Sequence, residues 1–168
     1  MEADEKNISD RNLNYHMKLH FIKSGQSPDL VQQLCSARPL ENLRSLSIQN
    51  SPPAWSSQNW IDTFGRCTAL ENVLLDGRNA VHYCGELLQP GHAPLLSLRT
   101  LSLMGLNFHD DIIHGSGGVS VFHKAFLAWL TAWKEMGPLF KLIIKDCRVT
   151  KAYVTKLKQI LEVEWKYE

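Results

Sequence analysis

The apolar residues of this chain return in a fixed frame. Leu40, Leu43, Leu46 and Ile48 follow LxxLxxLxL and run into Asn50. The same frame recurs as Leu95, Leu98, Leu101 and Leu103 before Gly105, and as Met136, Leu139, Leu142 and Ile144 before Asp146 and Cys147. Between the first two, Cys67 is followed by Leu70, Val73 and Leu75, ending at Gly77. From Leu43 to Leu70 is 27 residues, from Leu70 to Leu98 is 28, and from Leu98 to Leu139 is 41, one period plus an insertion. Stepping back 27 from Leu43 reaches His16, where Leu19 and Phe21 are expected at the inward positions of a degenerate first strand. Leu157, Ile160, Val163 and Trp165 give a weaker last copy 21 residues on. Terminal copies of a repeat array diverge because they cap it.

Successive strand residues point to opposite faces, so Leu46 and Ile48 face inward while Ser45, Ser47 and Gln49 face outward. One short strand cannot bury such a face alone. Stacked neighbours form a parallel sheet with a continuous aliphatic ladder, closed on its other side by helices. The pattern predicts those helices. Leu30, Val31 and Leu34 follow Ser27-Pro28, a cap and a helix-opening proline, and Trp60, Ile61 and Phe64 follow Ser56 and Ser57. The longest stripe is Phe122, Phe126, Trp129, Leu130 and Trp133, stopped by Gly137-Pro138. Thr150 caps a further helix carrying Tyr153, Val154, Leu157 and Ile160, while Val81, Leu87 and Leu88 suggest one or two turns. Asn107 to Gly118 reads as an inserted loop made flexible by Gly115-Ser-Gly-Gly118. The expected fold is therefore α/β, a leucine-rich-repeat solenoid of about five to six repeats over 13–168. Its parallel sheet lies on the concave side with helices on the convex side, after a polar tail over 1–12.

Composition narrows the function. The 168 residues suffice for one domain, and 18 basic against 17 acidic side chains leave almost no net charge. A nucleic-acid binder or a polybasic membrane-surface protein needs an excess of Lys and Arg, so neither partner is expected. The most apolar stretch, Val119 to Met136, is interrupted by His123, Lys124, Lys134 and Glu135, so no membrane span is expected. The start, MEADEKNISD, lacks the basic and apolar runs of a secretory signal. A cytoplasmic or nuclear location follows as an expectation. Cys35, Cys67, Cys84 and Cys147 form no CxxC pair and read as reduced, mostly buried thiols.

A succession of pieces resembles a known group. LxxLRTLSLxGLNF over Leu95 to Phe108 is followed by a loop and a long helix ending KExGPL at Lys134 to Leu139. Then come LxIxDCxVT over Leu142 to Thr150, a helix, and a closing VEW at Val163 to Trp165. In that order they resemble the C-terminal leucine-rich region of fungal, particularly basidiomycete, F-box-like proteins, over roughly residues 13 to 166. In that family an N-terminal F-box docks on the adaptor of a cullin-RING ubiquitin ligase and the leucine-rich region holds the substrate. The resemblance thus implies substrate recognition for ubiquitination. No LPxE-type F-box helix is read before the first repeat, so ligase components are expected partners only if an F-box lies upstream. The alternative is a stand-alone scaffold or enzyme inhibitor on the same solenoid.

No catalytic set, cofactor or metal site is expected. His109, Asp110, Asp111 and His114 share one loop and have ligand chemistry, yet a solvated polar insertion is the simpler reading. His16 and His20 lack the glutamate of HExxH, Gly115 to Gly118 lacks the ending of a phosphate loop, and Cys84 with His82 proves no nucleophile and base. Trp129 and Trp133 are expected in packing, and Trp165 as the end cap of the ladder.

Function is instead expected on the outward strand positions, binding a protein or peptide. These are Lys18, His20 and Ile22; Ser45, Ser47 and Gln49; Asn72, Leu74 and Asp76; and Thr100, Ser102 and Met104. Lys141, Ile143 and Lys145 continue the row, and Glu162, Glu164 and Lys166 end it. Apolar Leu74, Met104 and Ile143 within a charged rim have the makeup of a protein contact.

Overall fold

The structure, a computed structural model, describes residues 15–20, 32–33, 35–36, 40–49, 57–77, 97–113, 119–135 and 141–167. Its elements in chain order are β1 (Tyr15–His20), a 3-10 turn (Leu40–Asn42), β2 (Leu43–Gln49), α1 (Ser57–Phe64), β3 (Asn72–Asp76) and β4 (Thr100–Met104). Then follow β5 (Asp111–Ile113), β6 (Val119–Val121), α2 (Phe122–Lys134), β7 (Lys141–Lys145), α3 (Lys151–Lys158) and β8 (Glu162–Lys166). The chain is mixed α/β. Six strands form one sheet in the order β1-β2-β3-β4-β7-β8, every pairing parallel.

The register follows the sequence frame. Leu46, Val73, Leu101 and Leu142 lie opposite one another on successive strands, as do Ile48, Leu75, Leu103 and Ile144. All eight are at most 2% exposed. Burying one such side chain stabilises by about 1.5–3 kcal/mol, so this double ladder is the main apolar contribution of the sheet. Phe64 of α1, Phe122, Phe126, Leu130 and Trp133 of α2, and Tyr153 and Leu157 of α3 join the same core cluster. Trp133 is 6% exposed, Trp129 packs partly buried beside it, and Val163 and Trp165 of β8 close the ladder half-buried.

Three successive strands, β3, β4 and β7, leave the sheet through the same turn. Gly77, Gly105 and Asp146 each follow the last residue of a strand, with φ of 102°, 67° and 51°. The N–H of each donates to the end of the next strand: Gly77 to Met104 O at 3.0 Å, Gly105 to Lys145 O at 3.1 Å, and Asp146 to Lys166 O at 3.2 Å. Glycine enters this left-handed region without a Cβ penalty, and aspartate is among the residues that tolerate it.

Several expectations need correction. In β1 the inward residues are Met17, opposite Leu46, and Leu19, opposite Ile48; Leu19 and Phe21 were the expected pair. YHMKLHF offers both pairs at alternate positions, and the ladder selects the earlier one; Phe21 and Ile22 lie outside the described residues. The insertion is more than a loop. β5 and β6 pair antiparallel, Asp111 with Val121 and Ile113 with Val119. Its backbone also caps α2, whose N-cap Val121 has no capping side chain: Phe122 N donates to Asp110 O at 2.9 Å and His123 N to Phe108 O at 3.0 Å. Phe108 anchors the segment in the core, its ring centroid 5.1 Å from Phe122, 5.7 Å from Phe126 and 5.6 Å from Tyr153.

Thr150 caps α3 as expected, its Oγ1 accepting from Tyr153 N at 3.2 Å, though the helix ends at Lys158 and Ile160 packs on the core beyond it. Residues 32–33 and 35–36 are helical, while Leu30, Val31, Leu34, Val81, Leu87, Leu88 and the Gly137-Pro138 stop lie outside the described residues. Among the described residues no helix is long and apolar enough to cross a membrane.

Candidate functional site

Strand residues that alternate with the buried ladder fall into three registered rows. At the amino ends of the strands lie His16, Ser45, Asn72, Thr100, Lys141 and Glu162. The middle row is Lys18, Ser47, Leu74, Ser102, Ile143 and Glu164, and the last is His20, Gln49, Asp76, Met104, Lys145 and Lys166. The strand pairing therefore brings the proposed contact residues Lys18 to Lys145 together on one surface. His16 joins that surface two residues earlier than the expected triplet, because of the shifted β1 frame. None of the outward residues belongs to the core cluster.

Most of the described side chains in these rows are half-buried, as registered residues of adjacent strands stand against each other. Ser47 differs: at 7% exposure it is buried within its row and offers little surface of its own. Its small hydroxymethyl stands between the longer side chains of Lys18 and Leu74 in its row. Asn72 Nδ2 donates to Ser45 Oγ at 3.5 Å across the first rung. Apolar contact area is concentrated in the middle, where Leu74 and Ile143 flank Ser102 and Met104 lies one row on.

Charge is concentrated at the β8 side. Lys141 Nζ lies 2.7 Å from Glu164 Oε2 and 3.6 Å from Glu162 Oε1, and Lys166 Nζ lies 2.6 Å from Glu164 Oε1. Hydrogen bonds from Lys141 and then Lys166 hold the Glu164 carboxyl down at about 2, and the same bond from Glu164 raises Lys141. Arg44 and Glu71 pair across the β2 and β3 entrances, outside the three rows.

Two clefts open beside the strand exits. One, of about 340 Å³, is lined by Gly105, Leu106, Asn107, Asp110, Asp146 and Arg148. There Asn107 Nδ2 donates to Asp110 Oδ1 at 2.5 Å, and Asn107 bridges to Arg148 in parallel. The second, of about 190 Å³, lies between the insertion, α2 and α3 and includes His109, His123, Tyr153 and Lys156. His123, Tyr153 and Lys156 are not among the site residues expected from sequence: they stand outside the repeat frame's outward positions, and 30 residues separate His123 from Tyr153.

The remaining candidates form no site among the described residues. Among the described residues no three His, Cys, Asp or Glu side chains converge as metal ligands. His109, Asp110 and Asp111 are described, whereas His114, the Gly115 to Gly118 stretch, His82 and Cys84 lie outside the described residues. Cys35, Cys67 and Cys147 are buried and form no disulfide among the described residues. Burial pushes Cys67 up to about 12 and Cys147 up to about 11, away from nucleophilic thiolate chemistry. Cys147 Sγ instead donates to the carbonyls of Leu103 at 3.4 Å and Lys145 at 3.3 Å.

No family model matches this chain, and no curated protein or solved structure does either. The site is therefore read from its own chemistry: registered, half-buried and mixed in character, with apolar residues at the centre and paired charges at one side.

Proposed function

We propose that this chain is a protein-recognition module, a leucine-rich-repeat solenoid whose outward sheet face is concave and receives a protein or peptide. The observation that carries the reading is the registered row Leu74, Ser102 and Ile143, with Met104 beside it, on a face that contributes nothing to the core cluster. Interfaces of this kind combine an apolar centre with a polar rim. The recurring left-handed exits at Gly77, Gly105 and Asp146 support a repeat array, in which each unit adds one rung of binding surface. The order of sequence pieces that resembles fungal F-box-like proteins makes substrate recognition for a cullin-RING ubiquitin ligase the proposed role.

Quantitative affinity capture from an extract of a mushroom-forming fungus tests this reading, comparing the native chain with Leu74→Asp, Met104→Asp and Ile143→Asp combined. A protein held by the native chain and lost by the triple variant, with the fold retained by circular dichroism, is the expected result. Capture unaffected by the three changes places binding elsewhere. Recovery of a partner without any cullin-RING component favours the scaffold or inhibitor role instead.

A further inference from the structure

The small cleft between the insertion and the last two described helices has a one-sided chemistry. It is lined by Phe108, His109, His123, Tyr153 and Lys156, together with Val149, Thr150 and Ala152, and no carboxylate is among its described walls. The neighbouring Asp110 accepts from Asn107 in the other cleft. Among the described residues, His109, His123 and Lys156 take part in no ion pair. Groups able to carry positive charge thus converge on about 190 Å³ of space with no carboxylate among the described walls to neutralise them.

The walls are also fixed. His123 Nδ1 lies 3.1 Å from Phe108 O, and a carbonyl only accepts, so Nδ1 carries the proton and Nε2 is the ring nitrogen left for a ligand. The Tyr153 hydroxyl donates to His123 O at 2.5 Å, tying α3 to the start of α2 at this point. His109 N donates to Asn107 Oδ1 at 3.2 Å, which holds the loop carrying the second imidazole. The two rings meet edge to face with centroids 5.6 Å apart. Lys156 comes from the second turn of α3, Thr150 from its cap; the described groups that titrate at the cleft are His109, His123, Tyr153 and Lys156.

We infer that this cleft is a binding site for a tetrahedral dianion, of the phosphomonoester or inorganic phosphate class, gripped by His109, His123 and Lys156. With Nδ1 committed to Phe108, His123 offers an anion only a lone pair at Nε2 until it takes up a proton there; the imidazolium then donates. Two imidazolium rings at this separation repel, and an anion bound beside both, with the Lys156 ammonium, offsets that repulsion. Anion binding is therefore coupled to proton uptake. Uptake of one proton per anion changes affinity by up to about tenfold per pH unit.

Sulfate is the direct probe, because its charge is constant across the pH range in which imidazoles titrate. Histidine ring resonances of the full chain are followed by NMR during sulfate titration at pH 6.0 and 7.5, at constant ionic strength set with chloride. Saturable shifts of His109 and His123, with affinity at least about fivefold higher at pH 6.0, are expected. His123→Gln should weaken binding at pH 6.0 and reduce the pH dependence to the part His109 supplies, and Lys156→Gln should weaken binding at both pH values. Inorganic phosphate and a phosphoserine peptide, titrated in parallel, distinguish a free anion from a phosphorylated chain: tighter binding of the peptide assigns the site to a protein-borne group, and equal or weaker binding assigns it to the free anion. Absence of saturable shifts at pH 6.0, or binding unchanged in a folded His123→Gln variant, overturns the assignment. This outcome is independent of capture at the sheet face.

Discussion

The Tyr153 hydroxyl donates to the carbonyl oxygen of His123 at 2.5 Å, a bond across 30 residues that fastens α3 to the first turn of α2. Through it, the last two described helices and the inserted segment share one aromatic cluster around Phe108. Tyr153→Phe keeps the ring and removes the donor, leaving a partly buried carbonyl without this partner. A loss of about 1–2 kcal/mol in urea unfolding is expected.

The same tyrosine sets an alkaline limit. Burial raises its pKa above the ordinary phenol value, and burial likewise raises the Cys67 and Cys147 thiols to about 12 and about 11. The folded state then holds protons that the unfolded state releases, so stability falls as pH rises. The loss should begin near 9, the ordinary thiol value, and continue through the folded-state values. Urea melts between pH 8 and 10.5 check this, and Tyr153→Phe should flatten the upper part of the decline. A native stability that does not fall over this range would contradict the burial of these groups.

Gly105 and Asp146 occupy equivalent strand exits and should respond in opposite directions. At Gly105 a Cβ would meet nothing closer than Asp76 Oδ1 at 3.6 Å, but φ of 67° strains any side chain. Gly105→Ala is therefore expected to cost about 1–2 kcal/mol from backbone strain alone. Asp146→Gly should gain about 0.5–1 kcal/mol at φ of 51°, since its carboxylate gives up only a 3.9 Å contact with Lys145. Denaturant midpoints moving in opposite directions would establish the shared turn.

Thiol accessibility checks the core independently. In a Cys84→Ser background, a disulfide reagent at pH 8 should leave Cys35, Cys67 and Cys147 unmodified in the native protein and react with all of them in guanidinium. Rapid native reaction at any of the three contradicts the packing described.

At the other pH extreme, Glu164 is held at about 2 by Lys141 and Lys166. A lowered carboxyl contributes stability above its ordinary value of 4.5, lost as pH falls toward 2. Glu164→Gln should flatten that part of the acid limb, and the difference from the native chain should shrink in 1 M salt because these side chains are exposed to solvent.

How much of this could be read from residues varies by element. Leu46, Val73, Leu101 and Leu142 announce their alignment because alternation along a strand and a period of 27 or 28, with one insertion before Leu142, point to one register. The β1 frame is ambiguous in sequence, since Met17, Leu19 and Phe21 are all apolar at alternate positions and only pairing with Leu46 and Ile48 chooses. The hairpin is hidden because DII and VSV are three residues each, too short for alternation to show, and their capping of α2 runs through backbone atoms that no side chain advertises. Ser47 is buried by its neighbours' bulk, a property of the row and not of the serine. The His109, His123, Tyr153 and Lys156 cleft has no spacing signature, because three separate segments meet only in the fold.

The central claim, that the outward face of the sheet is where a partner binds, is tested most directly by placing a photo-crosslinking phenylalanine at Ser102, in the middle row between Leu74 and Ile143, and separately at Ala128, exposed on α2. Irradiated in cell extract, the Ser102 derivative is expected to yield a discrete covalent adduct that the Ala128 derivative does not give. An adduct from Ala128 alone would contradict the account.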